Sequence, residues 1–318
     1  MPTPVAPTPP TPGLRRALHR LARFLRRMDI PPEPPIAPPM PPGRIVVLPD
    51  RGEMFVRLSD PVDGALPVLL LHGWLSSADQ NWFRAYEALG SRRQVIAIDH
   101  QGHGHGIRSD ERFTFDRCAD DAAGVLDQLG IDRAIVAGYS MGGPIALHLA
   151  RRHPDRVAGL VLAATSLMAG DTRAERVKWF FLHQAELIPR FTTGQAFTRR
   201  LIRQAIDDDP TLLPNRAWLL NDSKRGYLPD MFRAGRALGA WDGRPWVHEV
   251  TAPVTVVITT RDRFVPLRKQ REMAELTGAH VVDLDGDHDA YLVRPRQFSG
   301  ALVDATDDVE ARVVGVHA

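Results

Sequence analysis

The 318-residue chain is short of cysteine and lysine and has no long apolar run. Cys118 is its one cysteine, which excludes an intrachain disulfide and a thiolate metal cluster. Lys178, Lys224 and Lys269 are its only lysines. Arginine supplies the rest of the positive charge. Beside abundant Ala, Pro and Gly, this reads as the coding bias of a GC-rich bacterium. Nowhere do the roughly 18–20 apolar residues of a bilayer-spanning helix follow one another. The N-terminus also lacks the uninterrupted apolar core, roughly 7–15 residues long, of a secretory signal. These absences point to a cytoplasmic protein. Formal net charge is only +2, which gives no whole-chain case for nucleic acid.

The charge is unevenly placed. Residues 1–44 hold seven arginines against Asp29 and Glu33, so residues 45–318 carry about three net negative charges. Residues 1–13 and 31–43 hold 14 of the 27 prolines and can form neither a helix nor a central strand. Between them, LRRALHRLARFLRRM (14–28) repeats Leu14, Leu18, Leu21, Leu25 and Met28 at helical spacing. Arg15, Arg16, Arg20, Arg23, Arg26 and Arg27 fill much of the remainder. A basic amphipathic helix of this kind can rest on an anionic membrane surface or dock on its own domain. Residues 1–44 are therefore expected to be a largely disordered extension, with 14–28 a candidate for peripheral membrane contact.

From Gly43 the texture changes. RIVVLPD and EMFVRLSD read as strands separated by a turn at 50–52. PVLLLHG (67–73) is a continuous apolar run of strand length, as a strand buried on both faces requires. The pattern continues with a helix near 78–90, a strand at 94–99, a helix over 115–129 and a strand at 134–138. A helix over 141–152 and a strand at 157–164 follow. After an interruption come a strand at 254–260, a helix over 267–277, a strand at 280–286 and a last helix from about 294 to 308. This alternation predicts a mostly parallel sheet with helices on both faces. Residues 167–247 break it. They carry Trp179, Phe180, Phe181, Leu182, Phe191, Phe197, Trp218, Leu219 and Phe232, cut by Pro189, Pro210, Pro214 and Pro229. We read them as a helical insertion between two core segments, 45–166 and 248–310.

Gly138-Tyr139-Ser140-Met141-Gly142-Gly143 places a serine between glycines, after a buried-strand pattern and before a helix pattern. A serine on such a sharp turn adopts strained backbone angles, and glycines at 138 and 142 carry no Cβ to collide with it. The helix start puts the Met141 N–H beside any carbonyl the serine attacks. Tyr139 is placed by its position to line a pocket. Three other features invite chemistry. His100, His103 and His105 form a histidine-rich loop, read as rim packing rather than a zinc site because no cysteine is near and glycines separate them. Cys118, in a helix without a matched base, reads as packing. Asp285, Asp287 and Asp289 flank His288 in sequence.

The chain resembles the serine branch of the α/β-hydrolase-fold superfamily over about residues 45–305. LLLHGW resembles the loop that supplies the second oxyanion-hole N–H, which falls on Trp74. DHQGHGHG resembles the family's Asp-x-Arg-Gly-x-Gly-x-Ser segment, with Gln101 and Gly106 departing from it. VVITTRDRFVP resembles the strand ending in the triad acid, which falls on Asp262. LDGDHDAY resembles the loop carrying the catalytic histidine, which falls on His288. The order Ser140, Asp262, His288 is the hydrolase-fold order. A serine hydroxyl needs an adjacent base to become a nucleophile, and that base needs a carboxylate to fix its tautomer. Asp262, at a strand end, is better placed for that than Asp285, Asp287 or Asp289.

The resemblance implies acyl transfer to water with no cofactor and no metal, on a small-molecule ester. The apolar load of 167–247 suggests a lipophilic acyl group, although the same residues serve equally to pack the insertion onto the core. Thioester hydrolysis, carbon–carbon bond hydrolysis and perhydrolysis use the same triad. A binding protein without turnover shares the fold. Oligomeric state is not written in the pattern.

Overall fold

Val68–Leu71 (β3), Val95–Ile98 (β4), Ala134–Tyr139 (β5), Val157–Ala163 (β6) and Val254–Thr259 (β7) are buried at every position. Their mostly apolar composition follows from a sheet covered on both sides. The computed structural model describes residues 35–173, 175–177, 179 and 193–315, without the side chains of 193–199, 201 and 228. The basic segment 14–28, most of the proline-rich stretches, Phe180, Phe181, Leu182, Pro189, Phe191 and the side chain of Phe197 lie outside the described residues.

Eight strands form one sheet in the order β1-β2-β4-β3-β5-β6-β7-β8, where β1 is Gly43–Leu48, β2 Gly52–Leu58 and β8 His280–Leu284. Pairings β1–β2 and β2–β4 are antiparallel and the rest are parallel. Alternate residues point to opposite faces: Leu69, Leu71, Val136, Leu160 and Val256 belong to one apolar core, Val68, Leu70, Ile135, Val161 and Val257 to the other. The expected α/β architecture is the observed one.

The helices on the faces are α1 (Ala78–Trp82), α2 (Tyr86–Gly90), α3 (Phe115–Leu129), α4 (Gly142–Arg152), α8 (Leu267–Thr277), α9 (Ala290–Val293) and α10 (Pro295–Gly315). Thr114 caps α3 by accepting the Arg117 N–H at 3.2 Å, and Gly130 closes it in the left-handed conformation. The helix expected over 78–90 is two: the Ala85 N–H bonds the Trp82 carbonyl at 2.7 Å, a tight turn that breaks the α-helical ladder. The last helix runs to Gly315 rather than 308, because Val309 and Val313 are buried and keep its apolar face occupied.

Between β6 and β7 lie α5 (Thr193–Asp208), α6 (Arg216–Asp222) and α7 (Leu228–Gly239), with a 3₁₀ turn at Pro210–Asn215. Among the described residues of 167–247 the only extended pairing is a single bridge, Met168 to Asp242. Pro229 sits in the first turn of α7, where its missing N–H costs nothing. No helix among the described residues is long and apolar enough to cross a membrane.

Register sets the site. Leu71 of β3 pairs with Gly138 of β5, so the chain leaving β3 starts beside the chain leaving β5. Thr259 of β7 pairs with Leu284 of β8, which brings the segments carrying Asp262 and His288 side by side. All four leave at the carboxyl end of the parallel strands, where open α/β sheets place their sites.

Candidate active site

Ser140 has φ +51°, a left-handed conformation that a residue with a side chain adopts only under constraint. The glycines around it are there for space. A Cβ on Gly138 would come 2.4 Å from the Gly142 carbonyl oxygen, and one on Gly142 would come 2.1 Å from the Leu71 carbonyl oxygen. Backbone cannot yield to either, so only glycine permits the turn to close over the strands.

The Ser140 hydroxyl donates to His288 Nε2 at 3.0 Å. His288 Nδ1 lies 2.8 Å from Asp262 Oδ2. A carboxylate only accepts, so Nδ1 carries the proton and Nε2 is the bare nitrogen that faces the serine. Asp262 is itself held rigidly. Its Oδ2 accepts from Thr259 Oγ1 at 2.7 Å, and its Oδ1 accepts the N–H groups of Phe264 and Val265, each at 2.8 Å. Two of the three flanking carboxylates are engaged elsewhere. Asp287 accepts the backbone N–H of His288 and that of Arg263, and Asp285 pairs with Arg261. Of the four aspartates weighed from the sequence, the structure puts only Asp262 against the imidazole.

Met141 follows the serine directly, and Trp74 follows Gly73, which lies against it. Met141 is the residue before α4, so its N–H belongs to the positive end of that helix. The loop from His72 to Leu75 lies against Ser140: a Cβ on Gly73 would sit 3.3 Å from Ser140 Cβ. It is pinned on both sides of the Gly73 α-carbon. The Gly73 N–H donates to Asn81 Oδ1 at 2.9 Å, and its carbonyl accepts from His72 Nδ1 at 2.7 Å. In a trans peptide the next N–H points away from that carbonyl. The Trp74 N–H is thus directed away from His72, and Leu75 then turns sharply with φ +62°. Sequence reasoning missed Asn81 and Leu75, since neither stands in a recognisable motif.

Tyr139 does something other than line a pocket. Its ring is 1% exposed and meets Trp82, Tyr291 and Phe298 edge-on. Its hydroxyl donates to the carbonyl of His288. The side chain points down into the core from the turn, so the expectation of a substrate contact is corrected: Tyr139 braces the histidine loop.

The histidine-rich loop packs inward. His72, His100 and His103 are buried, with ring centroids 4.3 and 5.3 Å from His72, and burial drives the His103 pKa down to about 3. Among the described residues no three metal-ligating side chains could share an ion. Asp99 organises the loop, accepting the N–H groups of Ala78 at 2.6 Å and His105 at 2.7 Å. A Cβ on Gly104 would meet the Asp99 carboxylate at 2.2 Å. Cys118 is buried, and burial pushes its thiol well above the usual range, as packing rather than nucleophilic use requires.

The alpha/beta hydrolase fold family matches this chain over residues 67–295. The chain belongs to the α/β-hydrolase fold family. A similar protein of Caulobacter vibrioides carries the name "putative carbamate hydrolase RutD". The two are 40% identical over 76% of this chain and 91% of the relative. The dihydrolipoyllysine-residue acetyltransferase component of the acetoin cleaving system of Pseudomonas putida is 38% identical over 67% of this chain. The match spans little more than half, 56%, of that longer relative. The solved esterase EaEST of Exiguobacterium antarcticum superposes with a TM-score of 0.70 at 20% identity, covering 84% of this chain and all of the esterase. At that identity the likeness is one of fold.

Proposed function

We propose that this α/β hydrolase is a serine esterase that cleaves carboxylic esters through an acyl-enzyme. The observation that carries the reading is the unbroken relay from Ser140 Oγ through His288 to Asp262, at 3.0 and 2.8 Å. His288 Nε2 takes the hydroxyl proton as Oγ attacks the ester carbonyl. The resulting oxyanion accepts from the N–H groups of Trp74 and Met141. Asp262 holds the imidazolium through Nδ1. The tetrahedral intermediate collapses, the alkoxide leaves with the proton from Nε2, and the acyl group remains on Oγ. Water then gives a proton to Nε2 as it attacks the acyl carbonyl; the Oγ–acyl bond breaks, Oγ takes the proton back from Nε2, and the acid leaves.

Residues 167–247 are assigned the part of a lid, and its apolar side chains favour lipophilic acyl groups. The pinned oxyanion loop supports a carbonyl substrate. The RutD likeness makes a carbamate the informative competitor.

Purified protein assayed on p-nitrophenyl esters from acetate to decanoate, with a thioester and a carbamate of matched acyl length, tests the assignment, with Ser140→Ala as the blank. Ester turnover that peaks at medium or long chains and vanishes in the blank is expected. A preference for acetate removes the lipophilic pocket, and faster carbamate or thioester turnover replaces the bond type.

A further inference from the structure

Trp74 contributes a backbone group to the reaction as proposed, yet its side chain is held by a different part of the chain. The indole Nε1–H donates to the carbonyl of Met231 at 2.6 Å. Four residues on, along the same face of α7, lies Gly235. A Cβ built there would come 2.6 Å from Trp74 Cζ2, 3.1 Å from Cε2 and 3.2 Å from Cη2. The bare backbone of Gly235 therefore forms the seat of the indole's outer ring. Trp179 stands beside the same ring, with centroids 6.2 Å apart. Met231 is buried, and Ala234 is fully so, which fixes this face of α7 against the core.

We propose that Gly235 is a positioning residue for the oxyanion site. It sets how deeply the Trp74 indole seats against α7, and through that depth where the Trp74 N–H lies relative to Ser140. The inference rests on the esterase reading above, in which the Trp74 N–H binds the oxyanion. The physical basis is that the indole, half-buried against the core, is held at both ends. Its nitrogen is tied to Met231, and its backbone lies between the pinned Gly73 and the left-handed Leu75. A methyl group at 235 displaces the ring, breaks the bond to Met231 and carries the displacement into the loop. Alanine suits a helix interior better than glycine, so the substitution loads Trp74 without weakening α7 itself.

A double-mutant cycle tests this with the full chain. Trp74→Phe keeps the backbone N–H and lacks Cζ2, Cη2 and the indole nitrogen. Gly235→Ala is expected to lower kcat on the best p-nitrophenyl ester about 10- to 100-fold, as a displaced transition-state donor does, with KM within about 2-fold. Trp74→Phe alone is expected to cost a few-fold. In the Trp74→Phe background, Gly235→Ala is expected to cost nothing more, because the atoms it strikes are gone. Affinity for an alkylboronic acid, whose Ser140 adduct mimics the tetrahedral intermediate, is expected to fall with kcat, a readout that loosened packing alone would not move.

Unchanged kcat in Gly235→Ala overturns the proposal. So does a loss that persists in the Trp74→Phe background, or a rise in KM at constant kcat. Should Gly235→Ala alone fail to fold, the double variant compared with Trp74→Phe decides: equal activity supports the proposal and failure to fold overturns it. Wild-type protein that forms no adduct with a fluorophosphonate removes the esterase reading itself. A reactive wild type beside an unaffected Gly235→Ala removes the positioning role alone.

Discussion

The hydroxyl of Tyr139 donates to the backbone carbonyl of His288, 149 residues further along the chain. The residue before the nucleophile thus holds the loop of the base. The phenol ring that carries the donor is itself packed among Trp82, Tyr291 and Phe298. Tyr139→Phe keeps the ring and removes the donor. It is expected to lower stability by roughly 1–2 kcal/mol and kcat several-fold, with KM unchanged. Chemical denaturation beside steady-state kinetics checks it; unchanged values in both would show that the loop is held by packing alone.

The strained serine gives a second expectation. At φ +51° a glycine is relaxed where alanine is not. Ser140→Gly is therefore expected to be more stable than Ser140→Ala by about 1 kcal/mol, or about 2–3 °C in Tm, with both inactive. Calorimetry of the pair is the measurement, and equal Tm values would mean that the turn carries no strain.

Much of this is legible in the sequence, and the boundary of legibility has a physical cause. Helix α3 stands where 115–129 is expected, since Thr114 and Gly130 are local start and stop signals. Ser140, Asp262 and His288 can be read because each follows a strand in a recognisable block. The role of Tyr139 cannot, because its partner is fixed by tertiary placement, which no local pattern encodes. The same holds for Asn81 against Gly73 and for Gly235 against Trp74. The break at 83–85 hides inside an apolar stretch whose spacing suits one helix as well as two.

Asp222 offers a pH expectation. It ends α6, accepts from Ser77 Oγ at 2.6 Å and pairs with Arg225 at 3.2 Å. Burial, with Asp99 and Asp79 adding repulsion, raises its carboxyl to about 6. A raised carboxyl favours the folded state fully below its unfolded value, near 4, and that contribution is lost as pH rises through about 6. Asp222→Asn keeps an acceptor for Ser77 and carries no charge. It is expected to be more stable than wild type by about 1–2 kcal/mol at pH 7.5 and no more stable at pH 4. Urea titrations at the two pH values check the sign; a gap that does not shrink on acidification contradicts it.

Residues 14–28 are proposed to lie on an anionic membrane surface, on the strength of their six arginines and apolar stripe. The chain that follows them is tied down: the Ile36 carbonyl accepts from Asn215 Nδ2 at 3.2 Å and the Pro42 carbonyl accepts the Leu58 N–H at 3.0 Å. Co-sedimentation with phosphatidylserine vesicles is expected for the full chain and not for a chain starting at Gly43. Equal sedimentation sinks the proposal.

The most direct test of the esterase reading is the site of covalent capture. The protein is treated with a fluorophosphonate, digested, and the modified peptide sequenced by mass spectrometry. One phosphonyl group on Ser140 is expected, with fluoride released, and its rate is expected to drop by orders of magnitude in His288→Ala and to vanish in Ser140→Ala. An unmodified wild type, or a group carried on any residue other than Ser140, would contradict it.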